Sequence, residues 1–192
     1  MSKRVLVINP ENCTGCRMCE LACSSSKEGE FNPGRSRIKV VTNGLKGWSR
    51  PVVCLQCDDP MCMAACSVEA IYKTKTPQGD SVVAVKKEKC IQCYQCIVAC
   101  PFGAIDFIKE LKIIKCDLCG GSPACVKFCF YNCLKFIELS EDAYQKRAKK
   151  IKALTAKAYR EISKKEPYQR RVAFSLDLSK VTDIPKRNID KR

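Results

Sequence analysis

Residues Cys90 to Pro101, CIQCYQCIVACP, set four thiols at spacings of three, three and four residues and close on a proline. Three further runs follow the same plan. Cys13, Cys16, Cys19 and Cys23 repeat the C-x2-C-x2-C-x3-C spacing. Cys54, Cys57, Cys62 and Cys66 open the middle gap to four residues, and Cys116, Cys119, Cys125 and Cys129 open it to five, around GGSPA. Cys133 is left over. This spacing is that of the bacterial run that holds cubane 4Fe–4S clusters. Three closely spaced thiolates bind three irons of one cubane, and the fourth leaves on a helical turn to reach the other cluster of a pair, so groups work in twos. Four all-thiolate zinc sites are the competing chemistry. Zinc ribbons, however, separate two C-x2-C knuckles by a dozen or more residues, and three cysteines in seven residues, twice over, suit a cubane better. The chain has no histidine, which excludes Rieske and the usual haem ligation and removes the commonest general base.

Seventeen cysteines in 192 residues would also fit a disulfide-stapled secreted domain. The opening MSKRVLVINPENC argues against export, because its apolar run is too short for a signal-peptide core and no small-residue cleavage site follows. No segment approaches the roughly 18 apolar residues of a membrane span. A cytoplasmic chain keeps its thiols reduced, so dense cysteine points to metal. Of the formal charge of +15, the tail carries +9. Beyond Leu139 stand 16 Lys/Arg against 7 Asp/Glu, and before it 19 against 13. Four thiolate-bound cubanes at about −2 each would leave the body nearly neutral. Nucleic acid is excluded as a partner, since the charge sits in one peripheral segment without interleaved aromatics.

Elements recur with the cysteine groups. The β-branched runs VLVI, SVVAV and KIIK precede groups one, three and four, and CSVEAIY, CPFGAIDF and CFYNCLKF follow three of them. Each unit reads as strand, cysteine loop, one helical turn and strand. KTKTPQGDS is a turn connector, and the insertion KEGEFNPGRSRIKVVTNGLKGWSR holds a possible RIKVV strand. From Ser140, a good N-cap, a basic amphipathic helix is expected up to Pro167, with an apolar stripe of Ala143, Ala148, Ile151, Leu154, Ala158 and Ile162. An extended arm carrying VAFSLDL follows. So narrow a stripe has little to bury alone, which gives residues 140–192 the expectation of a partner-docking tail.

The four-group order, CDLCGGSPACVKFC and CIQCYQCIVACPFGAI resemble the four-cluster iron–sulfur subunits of the dimethyl-sulfoxide-reductase type, over residues 3 to about 139. The resemblance implies an α+β fold of two nested bacterial-type ferredoxin modules, the inner at about 50–109 and the outer at 1–49 and 110–139. It implies four 4Fe–4S clusters with ligands exchanged between groups. One set is Cys13, Cys16, Cys19 and Cys129; the next is Cys116, Cys119, Cys125 and Cys23. The inner sets are Cys54, Cys57, Cys62 with Cys100, and Cys90, Cys93, Cys96 with Cys66. Cys93 stands where some relatives carry the tryptophan of a 3Fe–4S site, so four cubanes are expected. The twin-arginine export signal of many relatives is missing.

CTGCRMCELACSSSKEGEFNPGRSRIKVV looks most like small polyferredoxins that accompany cytosolic tungsten enzymes of the aldehyde:ferredoxin oxidoreductase family, which includes the tungsten benzoyl-coenzyme A reductase complex. The implied role is a non-catalytic electron-transfer subunit. Its partners would be a larger tungsten- or molybdenum-containing catalytic subunit and a further flavin or iron–sulfur redox subunit. The alternatives are a subunit of a hydrogenase, carbon monoxide dehydrogenase or formate dehydrogenase, or a free polyferredoxin. An enzyme or sensor with an open iron site is the reading from another class, and complete four-cysteine ligation weighs against it. The proline after the fourth cysteine is kept only as Pro101; Ser24, Ser67 and Phe130 stand elsewhere. Cys133 reads as a buried thiol rather than a ligand, Tyr94 as a shield beside a cluster, and Trp48 as packing.

Overall fold

Short β-branched runs on either side of turn-rich cysteine segments make strands that enter and leave each loop. A computed structural model describes residues 3–160 and 169–171. Strand β1 (Lys3–Ile8) enters the first loop, which continues into helix α1 (Met18–Glu28). The insertion forms β2 (Ile38–Asn43) and β3 (Trp48–Val53). The second loop carries α2 (Met61–Ala64) and leaves as β4 (Ile71–Lys75). The plan repeats with β5 (Ser81–Val85), α3 (Gln95–Ala99) and β6 (Ile105–Ile108), then with β7 (Lys112–Lys115), α4 (Ala124–Lys127) and β8 (Leu134–Leu139). Helix α5 (Glu141–Tyr159) follows. The architecture is α+β.

The strands pair antiparallel in four two-stranded sheets: β1 with β8, β2 with β3, β4 with β5, and β6 with β7. Pairing of β1 with β8, Lys3 opposite Leu139, brings the first and last loops together, and α1 packs on α4 as α2 packs on α3. Two differences from the sequence reading have local causes. WSRPVV forms a strand before the second loop although Pro51 lies in it, opposite Val40. A two-stranded sheet has only edges, where a missing N–H is tolerated. The helical turn after the first loop is instead an 11-residue helix. It runs until Gly29, whose left-handed φ of 73° and N–H to the Ser25 carbonyl at 2.9 Å close it.

Ile8, Ile38, Val53 and Ile105 are each 1 % exposed, and Cys19, Cys23, Cys62, Cys96, Cys100, Cys116 and Cys125 share the same core. Polar ties run between distant segments. Arg4 donates from Nε and Nη2 to the two oxygens of buried Asp80, at 2.9 and 2.5 Å, joining β1 to the β4–β5 turn. Lys27 of α1 meets Asp117 of the fourth loop at 2.6 Å. Among the described residues no helix is long and apolar enough to cross a membrane.

Helix α5 begins as expected, with Ser140 Oγ accepting from the Ala143 N–H. Its buried face holds the expected stripe, with Ile151 buried and Ala143, Ala148, Leu154 and Ala158 half-buried, and adds two polar residues. Tyr144, Arg147 and Ile151, one heptad long, turn onto the chain's own body rather than waiting for a partner. The Tyr144 hydroxyl donates to Asp58 Oδ1 at 2.5 Å, Arg147 Nη2 donates to the Leu55 carbonyl at 3.0 Å, and Ile151 joins the main core. Two of those three residues are polar, and an alanine stripe read from hydrophobicity passed over them. Ile162 and the VAFSLDL arm lie outside the described residues. Truncating Ile151 to Ala should cost about 2–5 kcal/mol of local stability. Hydrogen exchange would show it as faster opening of α5 amides, whereas Lys149→Ala, on the exposed face, should change nothing; unchanged α5 protection in Ile151→Ala would mean the helix is not anchored there.

Candidate functional site

Every loop starts with the same backbone device. Gly15, Gln56, Gln92 and Leu118, each two residues past the first cysteine of its group, have left-handed φ values of 75°, 52°, 60° and 58°. Side chains rarely adopt this conformation, and only Gly15 also needs the space, since a Cβ there would meet Ser49 Oγ at 2.6 Å. Mixing left- and right-handed residues turns successive N–H groups toward one concavity, a nest for anionic sulfur. The third cysteines share a position too. Cys19, Cys62, Cys96 and Cys125 are each the second residue of α1, α2, α3 and α4, and all four are buried. There the helix N-terminus favours negative charge on sulfur.

The fourth cysteines leave on turns whose amides point back at sulfur. Ala70 N–H donates to Cys66 Sγ at 3.2 Å and Ala104 N–H to Cys100 Sγ at 3.4 Å. The Arg37 N–H does the same for Cys23 at 3.3 Å, and the Gln56 N–H for Cys54 at 3.5 Å.

The thiols gather in four neighbourhoods, each made of three cysteines from one loop and one from another. Cys19 is pushed up to about 12 by burial and then by Glu20, Cys13, Cys129 and Cys16. Burial raises Cys125, reinforced by Cys116, Cys23 and Cys119. Burial likewise raises Cys57, with Cys54, Cys100 and Cys62 around it, and these four thiols line one cavity. Cys96 is pushed up to about 11 by burial, then by Cys90, Cys66 and Cys93. Charge on one neighbourhood acts on the next in a consistent order. Cys125 feels Cys19, Cys116 feels Cys54, and Cys62 feels Cys96.

All 17 cysteines are free thiols. Among the described residues no three thiols or carboxylates converge tightly enough to hold a single ion. Four thiolates around one zinc would each lie about 2.3 Å from it. Thiol neighbourhoods that cross between loops, with amides donating to Cys23, Cys54, Cys66 and Cys100, fit 4Fe–4S clusters.

Cys133 is 3 % exposed and lies against the first loop, its thiol hydrogen-bonded to Cys13. That bond lowers Cys13, against burial, and raises Cys133. Tyr94 stacks edge-to-face on Phe107 at 4.8 Å and remains 44 % exposed. Trp48 packs at the core margin under Arg50.

Several residues at the site carried no sequence signal. Gln56 Nε2 donates to the Cys116 carbonyl at 2.9 Å while its Oε1 accepts from the Val83 N–H at 2.9 Å, bridging the second loop, the fourth loop and β5. Lys115 and Arg147 are buried cations beside the second loop. Arg170 donates to the Ile97 and Val98 carbonyls at 3.2 and 2.7 Å, and Arg171 to the Gly103 carbonyl at 2.5 Å, so the far tail grips the third loop's exit.

A profile of 4Fe–4S dicluster domains matches residues 46–139, and one of 4Fe–4S binding domains matches residues 10–26. The polyferredoxin-like subunit of an aliphatic sulfonate oxidoreductase from Pyrococcus furiosus is 40 % identical over 65 % of this chain and 70 % of its own length. The ferredoxin MJ0155 of Methanocaldococcus jannaschii is 36 % identical over 82 % of this chain and 97 % of its own. Among solved structures, the BamBC active-site complex of benzoyl coenzyme A reductase aligns at 24 % identity and a TM-score of 0.44, covering 73 % of this chain and 81 % of that one. By its cysteine loops, its α+β frame and these relatives, the chain belongs to the 4Fe–4S polyferredoxin family.

Proposed function

We propose that this chain is the electron-transfer subunit of a cytoplasmic oxidoreductase complex and holds four cubanes in a row. The ligand sets are Cys13, Cys16, Cys19 and Cys129; Cys116, Cys119, Cys125 and Cys23; Cys54, Cys57, Cys62 and Cys100; and Cys90, Cys93, Cys96 and Cys66. Bound there, the cubanes supply one-electron transfer. The protein supplies spacing, burial and hydrogen bonds, and no substrate chemistry occurs on this chain. Residues 50–109 form the inner module and residues 1–49 with 110–139 the outer, a division supported by the β1–β8 pairing and the α1–α4 and α2–α3 contacts.

One observation carries the reading. Of all the cysteines, only Cys16 and Cys93 are exposed, and they belong to the two end neighbourhoods. Phe128, Phe130 and Tyr131 are exposed beside Cys129, and Ile91, Tyr94 and Val98 beside Cys93. Electrons thus have an entry and an exit, with the two middle sites enclosed. A larger catalytic subunit meets one end and a flavin or iron–sulfur partner the other. The subunit role of the Pyrococcus relative supports a catalytic partner, and the resemblance of the first loop supports tungsten in it. The exposed face of α5, with Lys146, Lys149, Lys152 and Arg160, steers an acidic partner.

Two measurements test this. Anaerobically purified chain should contain about 16 irons and 16 acid-labile sulfides, exchange electrons with viologen dyes and convert no organic substrate. Stoichiometric zinc, or turnover of a substrate by the isolated chain, would overturn it. Cys23→Ala should perturb the site of Cys116, Cys119 and Cys125 rather than its own loop's, and Cys133→Ala should keep all iron; loss of iron in Cys133→Ala with none in Cys129→Ala would reassign the fourth ligand.

A further inference from the structure

Two buried cations bracket the second cysteine loop. Lys115 ends β7 immediately before Cys116 and is 7 % exposed. Its Nζ donates to the Val83 carbonyl at 2.5 Å and lies 3.4 Å from the Cys116 carbonyl. Its side chain lines the same cavity as Cys54, Cys57, Cys62 and Cys100. Arg147 of α5, 8 % exposed, donates to the Leu55 carbonyl of the same loop at 3.0 Å and lines a second cavity together with Cys54.

The charges that face this loop are unbalanced. Asp58, beside Cys57, keeps one negative charge while accepting from the Tyr144 hydroxyl, and Asp59 is exposed, 3.6 Å from Lys152, so two buried cations face one adjacent carboxylate. The other neighbourhoods differ. Beside Cys19 the buried charge is a carboxylate: Glu20 is 2 % exposed, accepts from the Val40 N–H at 2.5 Å and has Arg17 at 3.4 Å. Beside the fourth loop, Lys27 is offset by Asp117 at 2.6 Å. Beside the third loop, half-buried Lys112 reaches the Lys87 carbonyl at 3.0 Å and the Cys90 carbonyl at 3.5 Å, and one buried cation, Arg170, donates to the Ile97 and Val98 carbonyls at 3.2 and 2.7 Å.

Adding one electron to a thiolate-bound cubane adds one negative charge and breaks no bond. A fixed cation in a low-dielectric site favours that reduced form, and so does a hydrogen bond to a ligand sulfur. We propose that Lys115 and Arg147 are potential-setting residues that make the site of Cys54, Cys57, Cys62 and Cys100 the most readily reduced of the four. An electron entering from either end would then rest at this enclosed inner position, away from solvent and from both exposed faces. The inference builds on the four-cubane reading above.

The test is an anaerobic redox titration of the full chain, followed by electron paramagnetic resonance, with iron content measured alongside. A Cys57→Ser variant identifies the signal of the bracketed site, which in the native chain should have the highest midpoint. Lys115→Met, neutral and of similar length, should lower that midpoint. The ratio of reduced to oxidised site at fixed potential should fall at least tenfold, about 59 mV for one electron, with smaller movement at the other three. Lys115→Gln, which keeps a donor, and Arg147→Met should move the same signal in the same direction, so the result does not hang on one variant assembling. Full iron content with an unmoved signal, equal movement of all four, or another site titrating highest would overturn the inference. An iron content far below 16 in the native chain would instead overturn the four-cubane reading.

Discussion

Negative charge on buried sulfur is the constraint around which this chain is organised. A charged thiolate in an apolar interior is costly unless dipoles or cations surround it. Eight of the cysteines lie buried in the same core as Ile8, Ile38 and Ile105. The chain meets that cost locally and repeatedly. A left-handed residue two places into each loop turns amides inward, a helix starts one residue before each third cysteine, and in the second and third loops an amide from the exit turn donates to the fourth. Where two loops meet at the centre, Lys115 and Gln56 tie both to the backbone of β5.

Global topology follows from the need to bring a fourth thiol from a distant segment. Pairing β1 with β8 places Cys129 beside the first loop, and packing α1 on α4 places Cys23 beside the fourth. Hairpins β2–β3 and β6–β7 carry the chain between the outer and inner loops, so no long sheet is required. The small sheets bury little by themselves, and isolated two-stranded pairs are marginal in water. Contacts among the cysteine loops, and the grip of α5 through Tyr144, Arg147 and Ile151, supply much of the remaining packing.

Much of this was legible in the sequence because cysteine spacing and β-branched runs are local signals. The strands VLVI, SVVAV and KIIK, the connector KTKTPQGDS and the Ser140 cap lie where those signals put them. The strand around Pro51 was hidden by a residue that forbids central strands but not edges. The length of α1 was hidden because SSSKEG reads as turn, whereas its end is set by Gly29. Lys115 looks like any strand lysine, and only its burial against Val83 and Cys54 separates it from Lys112. Arg147 and Tyr144 fall outside the apolar stripe, since nothing local shows that Leu55 and Asp58 wait opposite them.

The central claim, that loops exchange their fourth ligand to build four cubanes in a row, is tested most directly by anomalous diffraction at the iron edge from anaerobically grown crystals. The account predicts four compact iron clusters, with Cys23 bonded to the one shared by Cys116, Cys119 and Cys125, and Cys129 to the one shared by Cys13, Cys16 and Cys19. Single-ion peaks, or Cys23 and Cys129 each bonded within its own loop's cluster, would contradict it.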